Sequence, residues 1–155
     1  MIRSQHTRNL IAELGVEFIA FDNKVFGESY HYGNKIECLT AIPNDKPFLF
    51  FDSDTLILDE LCDVPFDFSR PTASLRRTAT WPQPFGPGHH YADIWKDCYD
   101  ICGIDYPSSL DKQFSAQDWR RYLYFNASFF FHENPTKFGA RFLEFAQRIK
   151  TSTRP

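Results

Sequence analysis

Apolar and polar positions along the chain alternate in blocks that change period several times. Leu10, Ile11 and Leu14 recur at helical spacing between about Thr7 and Leu14, and Gly15 follows as a natural stop. The run Val16-Glu17-Phe18-Ile19-Ala20-Phe21 reads as a strand. The polar stretch from Asp22 to Ser29 reads as a loop, and Tyr32, Ile36, Leu39 and Ile42 mark a second amphipathic helix that ends before Pro43. Pro47-Phe48-Leu49-Phe50-Phe51 is a short apolar run that stops at Asp52-Ser53-Asp54, which predicts a buried strand delivering two carboxylates at its end. The order helix, strand, helix, strand predicts an α/β domain with a largely parallel sheet.

Beyond Asp54 the pattern loosens. Leu56-Ile57-Leu58 is a brief apolar run, and Asp63 to Ser69 alternates apolar and acidic residues. Pro71, Pro82, Pro84, Gly86, Pro87 and Gly88 punctuate residues 70–90 too heavily for a long regular element, so a flexible flap over the site is expected there. Tyr91 to Cys102 predicts a helix closed by Gly103, Gln117 to Arg121 a helical turn, and Tyr122 to His132 a strand. Asn134-Pro135 starts a final helix with Phe138, Phe142, Phe145 and Ile149 on one face.

With 155 residues the chain has the length of one domain, and a formal net charge of −3 supplies no basic field for nucleic acid. No apolar stretch approaches the ~20 residues of a membrane span, and the polar opening Met1-Ile2-Arg3-Ser4-Gln5-His6 has no signal-peptide core, so the expected compartment is the cytoplasm; a truncated chain would hide a targeting segment. Cys98 and Cys102, four apart below His89 and His90, suggest a zinc site on paper, but without the usual ligand spacing the four cysteines read better as small buried hydrophobes. The 17 phenylalanines imply a core of stacked rings, part of it available to an acceptor cleft.

The chemistry concentrates at Asp52 and Asp54. On a strand that continued that far they would share a face and hold one hard divalent cation, whose remaining ligands are normally water and substrate phosphates. The plain alternative is an Asp-rich turn.

Gly33-Asn34-Lys35 opening a helix, a hydrophobic strand running into Asp52-Ser53-Asp54, and Tyr124-Phe125-Asn126-Ala127 in a later strand together resemble the GT-A fold nucleotide-sugar glycosyltransferases. The resemblance implies a mostly parallel, Rossmann-like GT-A sheet flanked by helices, spread over roughly Gly15 to Ile149. It implies Mn²⁺ or Mg²⁺ on Asp52 and Asp54, Lys35 at the donor diphosphate, Ser53 at the donor ribose or sugar, and Asn126 with Ala127 beside the donor sugar. A divalent ion and a lysine suit a developing dianionic leaving group. Lys35 also reads as an ordinary exposed helix lysine, and Asn126-Ala127-Ser128 also spells a glycosylation sequon. Asp118 is placed as the general base for an acceptor hydroxyl, with a first-turn helix carboxylate as the alternative. The resemblance further implies that a base-binding unit precedes the chain, making it a partial domain with an exposed Val16 to Phe21 edge prone to self-association. Two rival readings are a degenerate, non-catalytic sugar-nucleotide-binding domain and a haloacid-dehalogenase-like phosphatase. For the latter, Thr55 falls one position too early.

Overall fold

The computed structural model describes residues 2–70, 72–73, 84, 86–122, 124 and 127–152. It divides into two compact units, Met1–Ala41 and Ile42–Pro155.

In the first unit, helix α1 spans Gln5–Glu13. Ser4 caps it, its hydroxyl accepting from Thr7 N–H at 3.3 Å. Gly15, at φ +64°, closes it while Val16 N–H returns to Ile11 O at 3.0 Å. Residues 16–24 run on without joining a sheet. The second predicted helix is broken into pieces: 3₁₀ turns at Gly27–Ser29 and His31–Gly33, helix α2 at Asn34–Glu37, and a 3₁₀ turn at Cys38–Ala41. The anchor of this unit is Glu37, 4% exposed, whose carboxylate accepts from the consecutive backbone N–H groups of Lys24, Val25 and Phe26 at 2.7 to 3.1 Å. A buried carboxylate survives only when its oxygens are bonded, and here the loop amides do that. Gly33 lies so close to Phe26 that an added Cβ would collide with the Phe26 Cβ and ring.

The second unit is built on a three-stranded sheet in the order β1-β3-β2, with β1 at Phe48–Phe51, β2 at Thr72–Ala73 and β3 at Phe129–His132. Both pairings are antiparallel, with Phe48 opposite His132 and Phe51 opposite Phe129. This corrects the expected mostly parallel, Rossmann-like sheet. A parallel crossover needs a strand on each side of its helix, but Val16 to Phe21 forms no ladder, so α2 follows no strand. The surviving partner of β1 comes from far along the chain and runs the other way.

Side-chain alternation sorts the rings onto two faces. Phe48, Phe50 and Phe130 lie on one, where Phe50 stacks on Phe130 at 4.5 Å. Helix α4, Pro135–Thr151, covers that face with Phe138 and Phe142, which meet Phe130 at 5.5 and 6.1 Å. Phe129 and Phe131 occupy the other face, where Phe66 and Phe68 meet Phe131 at 5.2 and 5.4 Å. Asn134 caps α4 by accepting from Lys137 N–H at 2.7 Å. Helix α3, Tyr91–Cys102, ends as expected on left-handed Gly103 and packs against α4. Among the described residues no helix is long and apolar enough to cross a membrane.

Candidate active site

Strand β1 ends at Phe51, one residue short of the carboxylates. Asp52 makes one more ladder bond, its N–H donating to Ser128 O at 2.9 Å, and then its own carbonyl accepts from Thr55 N–H at 3.0 Å. The Asp-x-Asp triplet is therefore a β-turn seated at the end of a strand, with Asp52 half-buried and Ser53 and Asp54 exposed. Both earlier readings hold in part, the buried strand and the Asp-rich turn. The two carboxylates do not project from consecutive same-face strand positions.

The bond from Asp52 to Ser128 spans most of the second unit in sequence and brings two motifs to one end of the sheet. Antiparallel pairing causes this, since the last residue of β1 faces the first residue of β3. Ala127, exposed, precedes Ser128 in a turn leading into β3. Asn126 lies outside the described residues, as does most of the expected flap at residues 70–90. Lys35 sits half-buried in α2, in the first unit, where its carbonyl accepts from the Cys38 thiol at 3.4 Å.

Asp118 is the N-cap of the 3₁₀ turn Trp119–Arg121. Its carboxylate accepts from Arg120 N–H at 2.9 Å and from the Arg120 guanidinium at 2.6 to 3.2 Å. The side-chain bonds from Arg120 first, and its backbone N–H second, hold the carboxyl below the ordinary aspartate range. That favours the charged form and makes Asp118 a weaker base.

Among the described residues no group of three or more His, Cys, Asp or Glu side chains is arranged to hold a metal ion. The zinc reading of Cys98 and Cys102 fails on the same ground. Burial raises both thiols above the usual cysteine range, which suits inert packing. Two oxygen donors remain at the strand end. That set fits Mg²⁺ or Mn²⁺, which take one or two protein carboxylates and keep water and phosphate oxygens for the rest. The exposed Asp54 carboxylate has no hydrogen bond or ion pair among the described residues.

Sequence reasoning missed Glu37 and Ser128. Glu37 lacked a signal because its partners are backbone amides. Ser128 lies inside the quoted sequon, and only the strand pairing shows its carbonyl against Asp52.

The model of the Rhodobacterales glycosyltransferase domain matches residues 1–155, and the chain belongs to that family. No curated protein and no solved structure matches it.

Proposed function

From that membership we propose that the chain transfers a sugar from a nucleotide-diphosphate sugar to a hydroxyl acceptor, as an Asp-x-Asp enzyme that uses Mn²⁺ or Mg²⁺. The observation that carries the reading is the 2.9 Å bond from Asp52 N–H to Ser128 O, which joins the Asp-x-Asp turn to the Asn126-Ala127-Ser128 segment. In this reading Asp52 and Asp54 hold the cation, which when bound neutralises charge that develops on the departing diphosphate. Ser53 hydrogen-bonds the donor ribose or sugar. Asn126 meets a donor sugar hydroxyl through its amide, while Ala127 leaves room for the ring beside it. Asp118 accepts a hydrogen bond from the acceptor hydroxyl and takes its proton, kept ionised by Arg120 at the expense of basicity.

Titration calorimetry with UDP-, GDP- and other nucleotide sugars, with and without Mn²⁺, tests the reading. Metal-dependent binding of one donor is expected, abolished in Asp52→Asn and Asp54→Asn. Asn126→Ala should weaken the nucleotide sugar much more than the bare nucleotide diphosphate. Unchanged donor affinity in both aspartate variants overturns the metal assignment, and turnover of a phosphate ester without sugar transfer overturns the transferase reading itself.

A further inference from the structure

The segment between α3 and β3 folds back on itself. Asp111 N–H donates to Arg121 O at 2.8 Å, the Arg121 guanidinium to Phe114 O at 2.6 Å, and the Tyr122 hydroxyl to Ala116 O at 2.7 Å. The Arg120 guanidinium lies 4.5 Å over the Phe114 ring. These ties fix an open, shallow depression of about 530 Å³ lined by Ser115, Gln117, Asp118, Trp119 and Arg120.

Its lining is unusual in combination. A half-buried indole stands beside an exposed amide and an exposed hydroxyl, with one ion pair between them. Asp118 and Arg120, the two charged residues of the lining, carry opposite charges held together as a pair. An ionic ligand would have to separate the pair, leaving one member without its partner. A neutral ligand rich in hydroxyls does not meet that obstacle. It donates to the carboxylate and accepts from the guanidinium, the Gln117 amide and the Ser115 hydroxyl while the pair stays closed. The apolar face of a pyranose ring then covers the indole, whose amphipathic character suits a surface that is apolar in one part and wet in another.

We propose that this depression is the acceptor site and that the acceptor is a neutral sugar, with Trp119 as the platform for its ring and Gln117 and Ser115 fixing its hydroxyls. The proposal rests on the transferase reading for the word acceptor. The binding chemistry stands on the lining alone. Arg120, the last residue of the lining, and Ser128, which accepts from Asp52, are eight positions apart in sequence, so chain connectivity keeps them within about 29 Å of each other.

Saturation-transfer NMR on the full chain, without donor or metal, provides the test, using free glucose, galactose and mannose against glucuronate. At least one neutral hexose should receive saturation, and glucuronate should receive less. Trp119→Ala should weaken that hexose by about tenfold or more, and Trp119→Phe should keep most of the affinity. Gln117→Ala, at an exposed position, should weaken it several-fold without disturbing the fold. If Trp119→Ala also loses its folded spectrum, Gln117→Ala decides. Three results each overturn the proposal: no saturation of any neutral hexose, a preference for glucuronate, or unchanged hexose affinity in Gln117→Ala together with a folded Trp119→Ala. Failure of the Asp52 and Asp54 assignment would appear in the donor titrations instead, and would leave these sugar measurements as they are.

Discussion

Val16 to Phe21 and Phe48–Phe51 are the two stretches of the first third of the chain that most resemble buried strands, and their fates differ. Phe48 is 6% exposed, whereas Phe18 is 63% exposed. The second run is matched residue for residue by Phe129–His132 and enclosed between α4 and the Phe66 and Phe68 rings. The first is tied at both ends, by the α1 closure at Gly15 and by the Glu37 carboxylate beyond it, and joins no strand among the described residues. Apolar composition equips a segment to be a strand. A ladder partner and a covering layer make it one.

Truncating one ring from each stretch's environment gives the largest contrast. Phe130, 4% exposed, is the ring on which Phe48, Phe50, Phe138 and Phe142 converge. Phe130→Ala should cost about 3 to 5 kcal/mol in urea unfolding. Phe18→Ala should change stability by no more than about 0.5 kcal/mol, as exposed positions do. Comparable losses in the two variants would break the contrast, because they would mean that Val16 to Phe21 is covered in solution.

The ends of the exposed run can be tested separately. Glu37→Gln keeps the side-chain shape but removes the charge and one of the two oxygens that accept the Lys24, Val25 and Phe26 amides. A buried donor left without its acceptor costs about 1 to 3 kcal/mol, and thermal unfolding should show a loss of that order. Hydrogen exchange should accelerate at those three amides before it does at β1. Unchanged exchange there would mean that another group fixes the loop.

The same contrast explains what the sequence could disclose. Helices α3 and α4 were readable because their signals are local: Gly103 at a left-handed end, Asn134-Pro135 at a start, and rings at helical spacing. Strand β1 was readable from its apolar run. The direction of pairing was not, since helix and strand alternation is the same on paper whether the partner is an adjacent parallel strand or a distant antiparallel one. The Asp-x-Asp triplet was legible as chemistry. Its meeting with Ser128 depends on a register that no local pattern contains, and so does the service of Phe66 and Phe68 as the cover of one sheet face.

If a ladder partner is what separates the two runs, groups that hold the approach to β3 act on β1 indirectly and more weakly. Tyr106 is one of them. Its hydroxyl donates to Ala92 O at 3.2 Å, and its ring stacks on Tyr122 at 6.5 Å. Burial first, and the neighbouring Tyr122 second, push its hydroxyl up to about 12 from the ordinary 10.0. Because the folded value is raised, the stability it contributes is whole below pH 10 and is lost as pH climbs toward 12. Absorbance titration at alkaline pH should show a late phase that shrinks in Tyr106→Phe, what remains belonging to Tyr122, whose hydroxyl burial also pushes up. An unchanged late phase would assign it elsewhere and remove Tyr106 from the scaffold that leads into β3.

The smallest effect belongs to Asp118, which caps the turn before that same approach. Its folded value is depressed by the Arg120 side chain and backbone N–H. The contribution is therefore present above the ordinary aspartate value of about 3.9 and is lost as pH falls through the lower folded value. The pair lies near the surface, so salt should weaken it. Melting temperature followed from pH 5 downward should fall slightly more steeply in the parent than in Asp118→Asn, and the difference should shrink as salt is added. A salt-independent difference would point to the backbone cap as the source. No difference at all would mean that Asp118 stabilises neither the turn nor the strand beyond it, leaving the β1–β3 ladder to hold by its rings and backbone bonds alone.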